Sequence, residues 1–273
     1  MSALINQLEE TTNYIRKHCN TVPSVGIVLG SGLGNFSGEM KVEKEISYSD
    51  IPHFPVSTVE GHHGKLTFGE INGKQVVAMA GRFHLYEGYT PQQVIYPVRV
   101  MKMLGVEIIL ISNAAGGINN TFAVGDLMII KDQISFFTLN PLLGKNEDSI
   151  GARFPDMSAP YTPSIIAKAK TIAERLQIPV HTGVYTGVTG PSFETRSEYK
   201  LIKTLGGDAV GMSTVQEVIA AVHCGMQVFA ISIITDIGIR EEDNTITHKE
   251  VLQAAKNAEP KLTAIFINLI HEL

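Results

Sequence analysis

Short apolar, β-branched runs recur along the chain at residues 25–29, 76–80, 106–112, 127–130, 183–186 and 228–234. Several are apolar throughout. A strand buried on one face alternates with polar residues, whereas an unbroken run needs cover on both faces, as helices give to a parallel sheet. Helix start signals fall between the runs. Thr90-Pro91-Gln92-Gln93 offers an N-cap, a proline at the first helical position and a glutamine that closes the capping box. Apolar Val94, Ile95, Val98 and Met101 follow it at helical spacing. Thr162-Pro163 opens a helix to about residue 176, and Thr195-Arg196-Ser197-Glu198 opens another. Thr214-Val215-Gln216-Glu217 and Thr247-His248-Lys249-Glu250 repeat the box, and Pro260 is expected to kink or divide the last helix. Strands alternating with helices predict an α/β fold with a central mixed, largely parallel β-sheet flanked by helices.

No Pro/Gly/Ser linker, repeat or low-complexity tract interrupts this pattern, so residues 1–273 are expected to form a single domain. Two stretches, 51–65 and 136–161, fit neither strand nor helix. Long irregular loops in a compact domain tend to serve as lids or interface arms. The first 18 residues form an amphipathic helix, with Leu4, Ile5, Leu8 and Ile15 set among Glu9, Glu10, Arg16 and Lys17. That is not the unbroken apolar core of a signal peptide. The longest apolar runs fall far short of the roughly 20 residues that span a bilayer. Hydrophobic residues at 44% and charged residues at 18% describe a soluble globular protein. Cys19 and Cys224 match no metal or redox spacing and read as reduced thiols. The expectation is a cytoplasmic protein with no membrane contact. A net charge of −5 with no basic run also argues against a nucleic-acid partner.

Chemistry concentrates in glycine-rich segments at strand ends, where open α/β sheets bind ligands. The first is Leu29-Gly30-Ser31-Gly32-Leu33-Gly34-Asn35. A dinucleotide fingerprint needs glycine where Asn35 stands, so a nicotinamide oxidoreductase is disfavoured. What survives is a turn whose amides and Ser31 hydroxyl suit a compact anion, or a plain strand-to-loop turn. In Gly81-Arg82-Phe83-His84-Leu85-Tyr86-Glu87-Gly88-Tyr89, Arg82 and His84 alternate along extended chain and point to one face. Arginine offers a planar fork to phosphate oxygens, and histidine a donor or a proton. His62, His63 and His84 raise the alternative of a metal, but no acidic or cysteine partners stand at ligand spacing. Ser112-Asn113-Ala114-Ala115-Gly116-Gly117 supplies small residues that let backbone amides approach a ligand. Gly211-Met212-Ser213-Thr214 leads into a capped helix, a ready phosphate site. The serine-nucleophile pattern G-x-S-x-G fails there at Val215.

Read together, the blocks GSGLG (30–34), GRFHLYEGY (81–89), NAAGG (113–117), GPSFET (190–195) and GMSTV (211–215) resemble the trimeric, low-molecular-mass purine nucleoside phosphorylases. The resemblance covers the chain from Gly26 to about His248. It implies reversible phosphorolysis of purine nucleosides to free base and ribose 1-phosphate, with inorganic phosphate as co-substrate and no cofactor or metal. It also implies a phosphate pocket from Ser31, His62, Arg82, His84, the Ala114 backbone and Ser213. Ribose contacts then fall on Tyr86, Met212 and His248, and the base lies near Phe193, Glu194 and Asp236, beneath Val210. His84, Glu194 and Asp236 carry the catalytic roles. Phe154 matches a phenylalanine that closes the sugar side of a neighbouring subunit's site, which implies a homotrimer with shared sites.

One position departs from the pattern. Members specific for 6-oxopurines carry asparagine in a Thr-Asn pair, and this chain reads Ile234-Thr235-Asp236-Ile237. An ionised Asp236 repels the purine anion as it leaves; a protonated one donates to N7 and accepts from a 6-amino group. The expectation is activity on inosine and guanosine, with adenosine tolerated better than usual. Methylthioadenosine phosphorylases also place Asp here but carry a second one where this chain has Gly238, and lack the glutamate that Glu194 supplies. A non-catalytic nucleoside-binding protein on the same fold is the alternative from another class, opposed by the set Arg82, His84, Glu194 and Ser213.

Overall fold

The structure is a computed structural model and describes residues 2–30, 34–56, 58, 64–238 and 246–273. Its frame is a nine-stranded mixed sheet in the order β2-β3-β4-β1-β5-β8-β7-β6-β9. The strands are β1 (Val25–Val28), β2 (Lys41–Ser47), β3 (Lys65–Ile71), β4 (Lys74–Ala80), β5 (Ile108–Gly117), β6 (Leu127–Ile134), β7 (Val180–Gly187), β8 (Ala209–Gly211) and β9 (Gln227–Ile237). The helices are α1 (Ala3–His18), α2 (Pro91–Val94), α3 (Tyr96–Leu104), α4 (Pro163–Arg175), α5 (Arg196–Thr204), α6 (Val215–His223) and α7 (His248–Glu272).

Pairing is parallel at β1–β4, β1–β5, β5–β9, β6–β7 and β7–β8. It is antiparallel at β2–β3, β3–β4, β5–β8 and β6–β9. The unbroken apolar runs are the parallel strands, as their two-faced burial requires. In β9, Val228, Ala230 and Ile234 join one core while Phe229, Ile231 and Ile233 join the other. Residues of α1, α3 and α6 fill the first core, and residues of α4 and α7 the second. Because β9 also pairs with β5, the strands β5, β8, β7, β6 and β9 close on themselves as a barrel.

Where structure and expectation differ, local chemistry explains the difference. The helix expected from Thr90 breaks at Ile95 into α2 and α3, since Pro97 sits in the first turn of α3 and has no N–H to continue the ladder. Pro260 does not divide α7, which runs on through it. Buried Ala255 and Ala258 on one side and Leu262, Ile265 and Phe266 on the other hold both halves to the sheet. Strands β2, β3 and β8 carry no long apolar run; β2 is a charged edge with only Ile46 buried.

Residues 135–162 contain no helix or strand. The stretch is pinned by Gln92 Nε2 donating to the Leu143 carbonyl (3.2 Å) and by His223 Nε2 within 3.2 Å of Asn146 Oδ1. Gly151 lies so close to the end of α6 that an added Cβ would fall 1.9 Å from the His223 carbonyl oxygen. Gly151→Ala is therefore expected to cost about 1–3 kcal/mol through forced displacement of this stretch. Urea denaturation measures it, and an unchanged midpoint rejects the close approach.

Candidate active site

The carboxyl ends of β5, β8 and β9 and the chain beyond β4 border one cavity of about 360 Å³. Arg82 and His84 enter from the chain beyond β4, Asn113 to Gly116 from β5, Val210 to Ser213 from β8, and Thr235 and Asp236 from β9. Pro191, Phe193 and Glu194 come from the turn before α5, and His248 and Val251 from the first turns of α7. Gly211 is required by this convergence, because a Cβ there would lie 2.4 Å from the Tyr185 hydroxyl.

At one end stands Arg82, 1% exposed. Its Nε donates to Glu217 Oε1 (3.0 Å) and its Nη2 to Glu217 Oε2 (2.8 Å). Its Nη1 donates to the Ser112 carbonyl (2.8 Å) and to Ser213 Oγ (3.2 Å). Two parallel bonds fix the plane of the guanidinium, and removing one partner of so buried a pair costs about 3–5 kcal/mol. Glu217 is the third residue of α6, so the acid that caps the helix also aims the arginine. Its Oε2 accepts from the Thr214 amide at 2.9 Å. Thr214 has φ 74° and ψ −53°, and the Val215 amide donates back to the Ser213 carbonyl at 2.8 Å. This tight three-residue turn puts a β-branched residue in the left-handed region, at a cost on the order of 1–3 kcal/mol. Ser213 is the residue that the turn presents to the cavity.

His84 Nδ1 lies 2.9 Å from Glu87 Oε1, which also accepts from the His84 amide. Glu87 Oε2 accepts from the amide (2.9 Å) and hydroxyl (2.7 Å) of Thr58. Burial pulls the His84 imidazole below the usual histidine value, against the opposing hydrogen bond to Glu87. Burial alone would raise the Glu87 carboxyl, but the hydrogen bonds from His84 and Thr58 bring it down to about 2. Tyr86 stacks on His84 with ring centroids 4.6 Å apart. Its phenol is pushed up to about 12 by burial and by the Glu87 charge.

Carboxyl groups occupy the other end. Glu194 is raised above the usual carboxylate value by burial, opposed by hydrogen bonds from the backbone and Tyr199, with the charge of Asp236 raising it further. Asp236 is buried, and the Thr235 hydroxyl lies 3.1 Å from its Oδ1 and 3.3 Å from the Ala115 carbonyl.

Arg82, His84, Ala114, Ser213, Tyr86, Phe193, Glu194, Val210, Met212, Asp236 and His248 thus all line one cavity. Ser31 and His62 lie outside the described residues. Phe154 does not line the cavity; it is 87% exposed on the irregular stretch, with the Arg153 guanidinium 5.6 Å over its ring. Among the described residues no group of three side chains suits a metal ion, and no helix is long and apolar enough to cross a membrane.

Residues 24–271 match the family model of the phosphorylase superfamily. Purine nucleoside phosphorylase 1 of Bacillus subtilis is 48% identical over 265 residues, covering 97% of this chain and 96% of its own length. The chain belongs to the purine nucleoside phosphorylase family. The Bos taurus purine nucleoside phosphorylase is 45% identical over 269 residues, covering 96% of this chain and 93% of its own. The fold agrees. The Schistosoma mansoni purine nucleoside phosphorylase crystallised with adenosine superposes with a TM-score of 0.95 at 40% identity, covering 100% of this chain and 99% of that one.

Sequence reasoning missed the residues that hold this family member's site residues in place. Glu217 was visible as a capping acid, but its second role toward Arg82 depends on α6 and the end of β4 meeting in space. Glu87 stood beside His84 in the same motif, three residues away. Tyr185, whose hydroxyl accepts from the Ser213 amide at 3.4 Å, gave no signal in its apolar strand.

The acid response follows from the pair at His84. Glu87 falls on folding from an ordinary 4.5 to about 2, so its stabilisation is full above 4.5 and is withdrawn as pH drops toward 2. His84 falls from an ordinary 6.5, so the unfolded chain binds its proton first and stability declines below 6.5 as well. Thermal unfolding midpoints are expected to fall throughout that range, and Glu87→Gln to flatten the portion below 4.5. Parallel curves for the two proteins would contradict the assignment.

Proposed function

We propose that this chain catalyses reversible phosphorolysis of purine nucleosides, releasing the free base and ribose 1-phosphate. The observation that carries the reading is one cavity with a guanidinium, an imidazole and a hydroxyl at one end and two carboxyl groups at the other. Cleaving the base from the sugar leaves positive charge on the ribose and negative charge on the purine, and catalysis comes from groups complementary to that separation. Phosphate held by Arg82, His84, Ser213 and the Ala114 amide is nucleophile and counter-charge, and its placement beneath the sugar removes much of the entropic barrier. His84 gives its Nδ1 proton to Glu87 in a hydrogen bond, so as a neutral ring its Nε2 accepts from the hydrogen phosphate. Tyr86, Met212 and His248 border the ribose. Phe193 and Val210 enclose the base, and Glu194 as a carboxylate accepts from N1–H and a 2-amino group. Asp236 assists as the neutral acid, donating to N7 as the purine anion departs and accepting from a 6-amino group.

This assignment predicts inosine and guanosine as substrates with adenosine accepted. The Schistosoma mansoni relative has been crystallised with adenosine and, in a separate structure of TM-score 0.94, with inosine. Hypoxanthine release from inosine is expected only with phosphate present, and release without it rejects phosphorolysis. Asp236→Asn is expected to raise the inosine-to-adenosine ratio of kcat/KM about tenfold or more. An unchanged ratio places Asp236 outside base recognition.

On this reading the reaction takes place in the cytoplasm, where the buried free thiols Cys19 and Cys224 suit a reducing compartment, and it uses no cofactor, inorganic phosphate being a co-substrate. We further propose a homotrimer in which Phe154 closes the sugar side of a neighbouring site. The support is a stretch that exposes Phe136 (89%), Leu139, Leu143 and Phe154, apolar surface that a lone subunit leaves in water. Light scattering is expected to give three chains per particle. Phe154→Ala is expected to keep that mass while raising the nucleoside KM roughly tenfold. A monomer, or an unaltered KM, removes the shared site.

A further inference from the structure

The turn at Thr214 does more than aim a backbone. Thr214 Oγ1 accepts from Asn113 Nδ2 at 2.8 Å and lies 3.2 Å from Ser213 Oγ. Ser213 Oγ also accepts from Arg82 Nη1 at 3.2 Å. An amide NH₂ and a guanidinium can only donate, whereas each hydroxyl holds one proton and two lone pairs. Each hydroxyl accepts from one such donor, so the direction between them is set by where the remaining protons can go. Thr214 Oγ1 receives the Asn113 proton and has its own to give, and Ser213 Oγ is the hydroxyl beside it. Ser213 Oγ then takes protons from both Thr214 and Arg82, and its remaining proton turns into the cavity it lines. The reverse order would leave the proton of the fully buried Thr214 hydroxyl, which does not line the cavity, without an acceptor among the described residues, and turn a Ser213 lone pair toward the ligand.

We propose that Asn113 and Thr214 are positioning residues that fix the polarity of the Ser213 hydroxyl, making it an obligate donor to the phosphate. The inference rests on the reading of this cavity end as a phosphate site. Thr214, fully buried and outside the cavity lining, acts only through Ser213, and Asn113, which borders the cavity, acts on Ser213 through Thr214. The relay also accounts for a hydroxyl-bearing residue at φ 74°, where glycine or asparagine meets less strain: a hydroxyl both receives and passes on a proton at one atom. In this arrangement an oxyanion with full negative charge on the facing oxygen is favoured, because that oxygen only accepts.

The test is steady-state kinetics on the full chain, varying phosphate at saturating inosine and the converse. Thr214→Val keeps the shape and branching and loses the hydroxyl. It is expected to raise the phosphate KM roughly tenfold while leaving the inosine KM within about twofold. Asn113→Asp replaces a donor with an acceptor that draws the Thr214 proton away from Ser213, and is expected to shift the phosphate KM in the same direction. Thr214→Ser is expected to restore it. In a Ser213→Ala background, Thr214→Val is expected to add no more than about twofold, since the relay then has no end. A full tenfold addition there, or an equal rise in both KM values, assigns Thr214 a structural role and overturns the relay. Should Ser213→Ala itself leave the phosphate KM unchanged, the phosphate reading fails and takes the relay with it.

Discussion

The paired bonds between Arg82 and Glu217 hold the site together. A guanidinium almost wholly removed from water is tolerable only with a fixed counter-charge and satisfied donors, and the chain supplies both from the first turn of α6. The same glutamate satisfies the Thr214 amide, so the start of the helix, the strained turn before it and the cation are fixed as one unit. Ser112, on β5, adds a carbonyl from the centre of the sheet. The cation is thereby tied to two segments far from each other and from its own in sequence, and each brings one wall of the cavity with it.

At the opposite end the chemistry changes sign. Glu194 rides on the turn before α5 and Asp236 on the end of β9, and the charge of Asp236 disfavours charge on Glu194. Two carboxyl groups in one enclosed space separate into different protonation states more readily than two in water. On the proposed reading of the site, one accepts from a purine edge while the other donates. The cavity therefore carries a guanidinium at one end and two carboxyl groups at the other.

Much of this was legible in the sequence because the constraints were local. Unbroken apolar runs announced the central strands, and capping boxes marked α2, α5, α6 and α7 within a residue or so. Pocket residues such as Arg82, His84, Ser213 and Glu194 were visible as motif members, and the structure gathers them. What stayed hidden needed the third dimension. Strand β8 is three residues long and has no pattern to detect. The barrel depends on β9 pairing on two sides, which no periodicity encodes. Pro260 reads as a breaker, yet apolar residues on both sides of it hold the helix to the sheet as one piece. Glu217 looked like an ordinary capping acid, and Glu87 like one more member of its motif, until folding set them against Arg82 and His84.

Closure of the barrel bears on how such a site diversifies. Near its middle β9 is clamped by β5 on one edge and β6 on the other, and the β5 pairing runs on to Ile237, so the backbone at position 236 has little room to shift. On the proposed reading of Asp236, selectivity among purines changes by exchanging terminal atoms on a stationary scaffold, oxygen for nitrogen, and not by remodelling loops. Drift between carboxyl and carboxamide at one codon is a short evolutionary path between ligand ranges, open without disturbing the architecture around it.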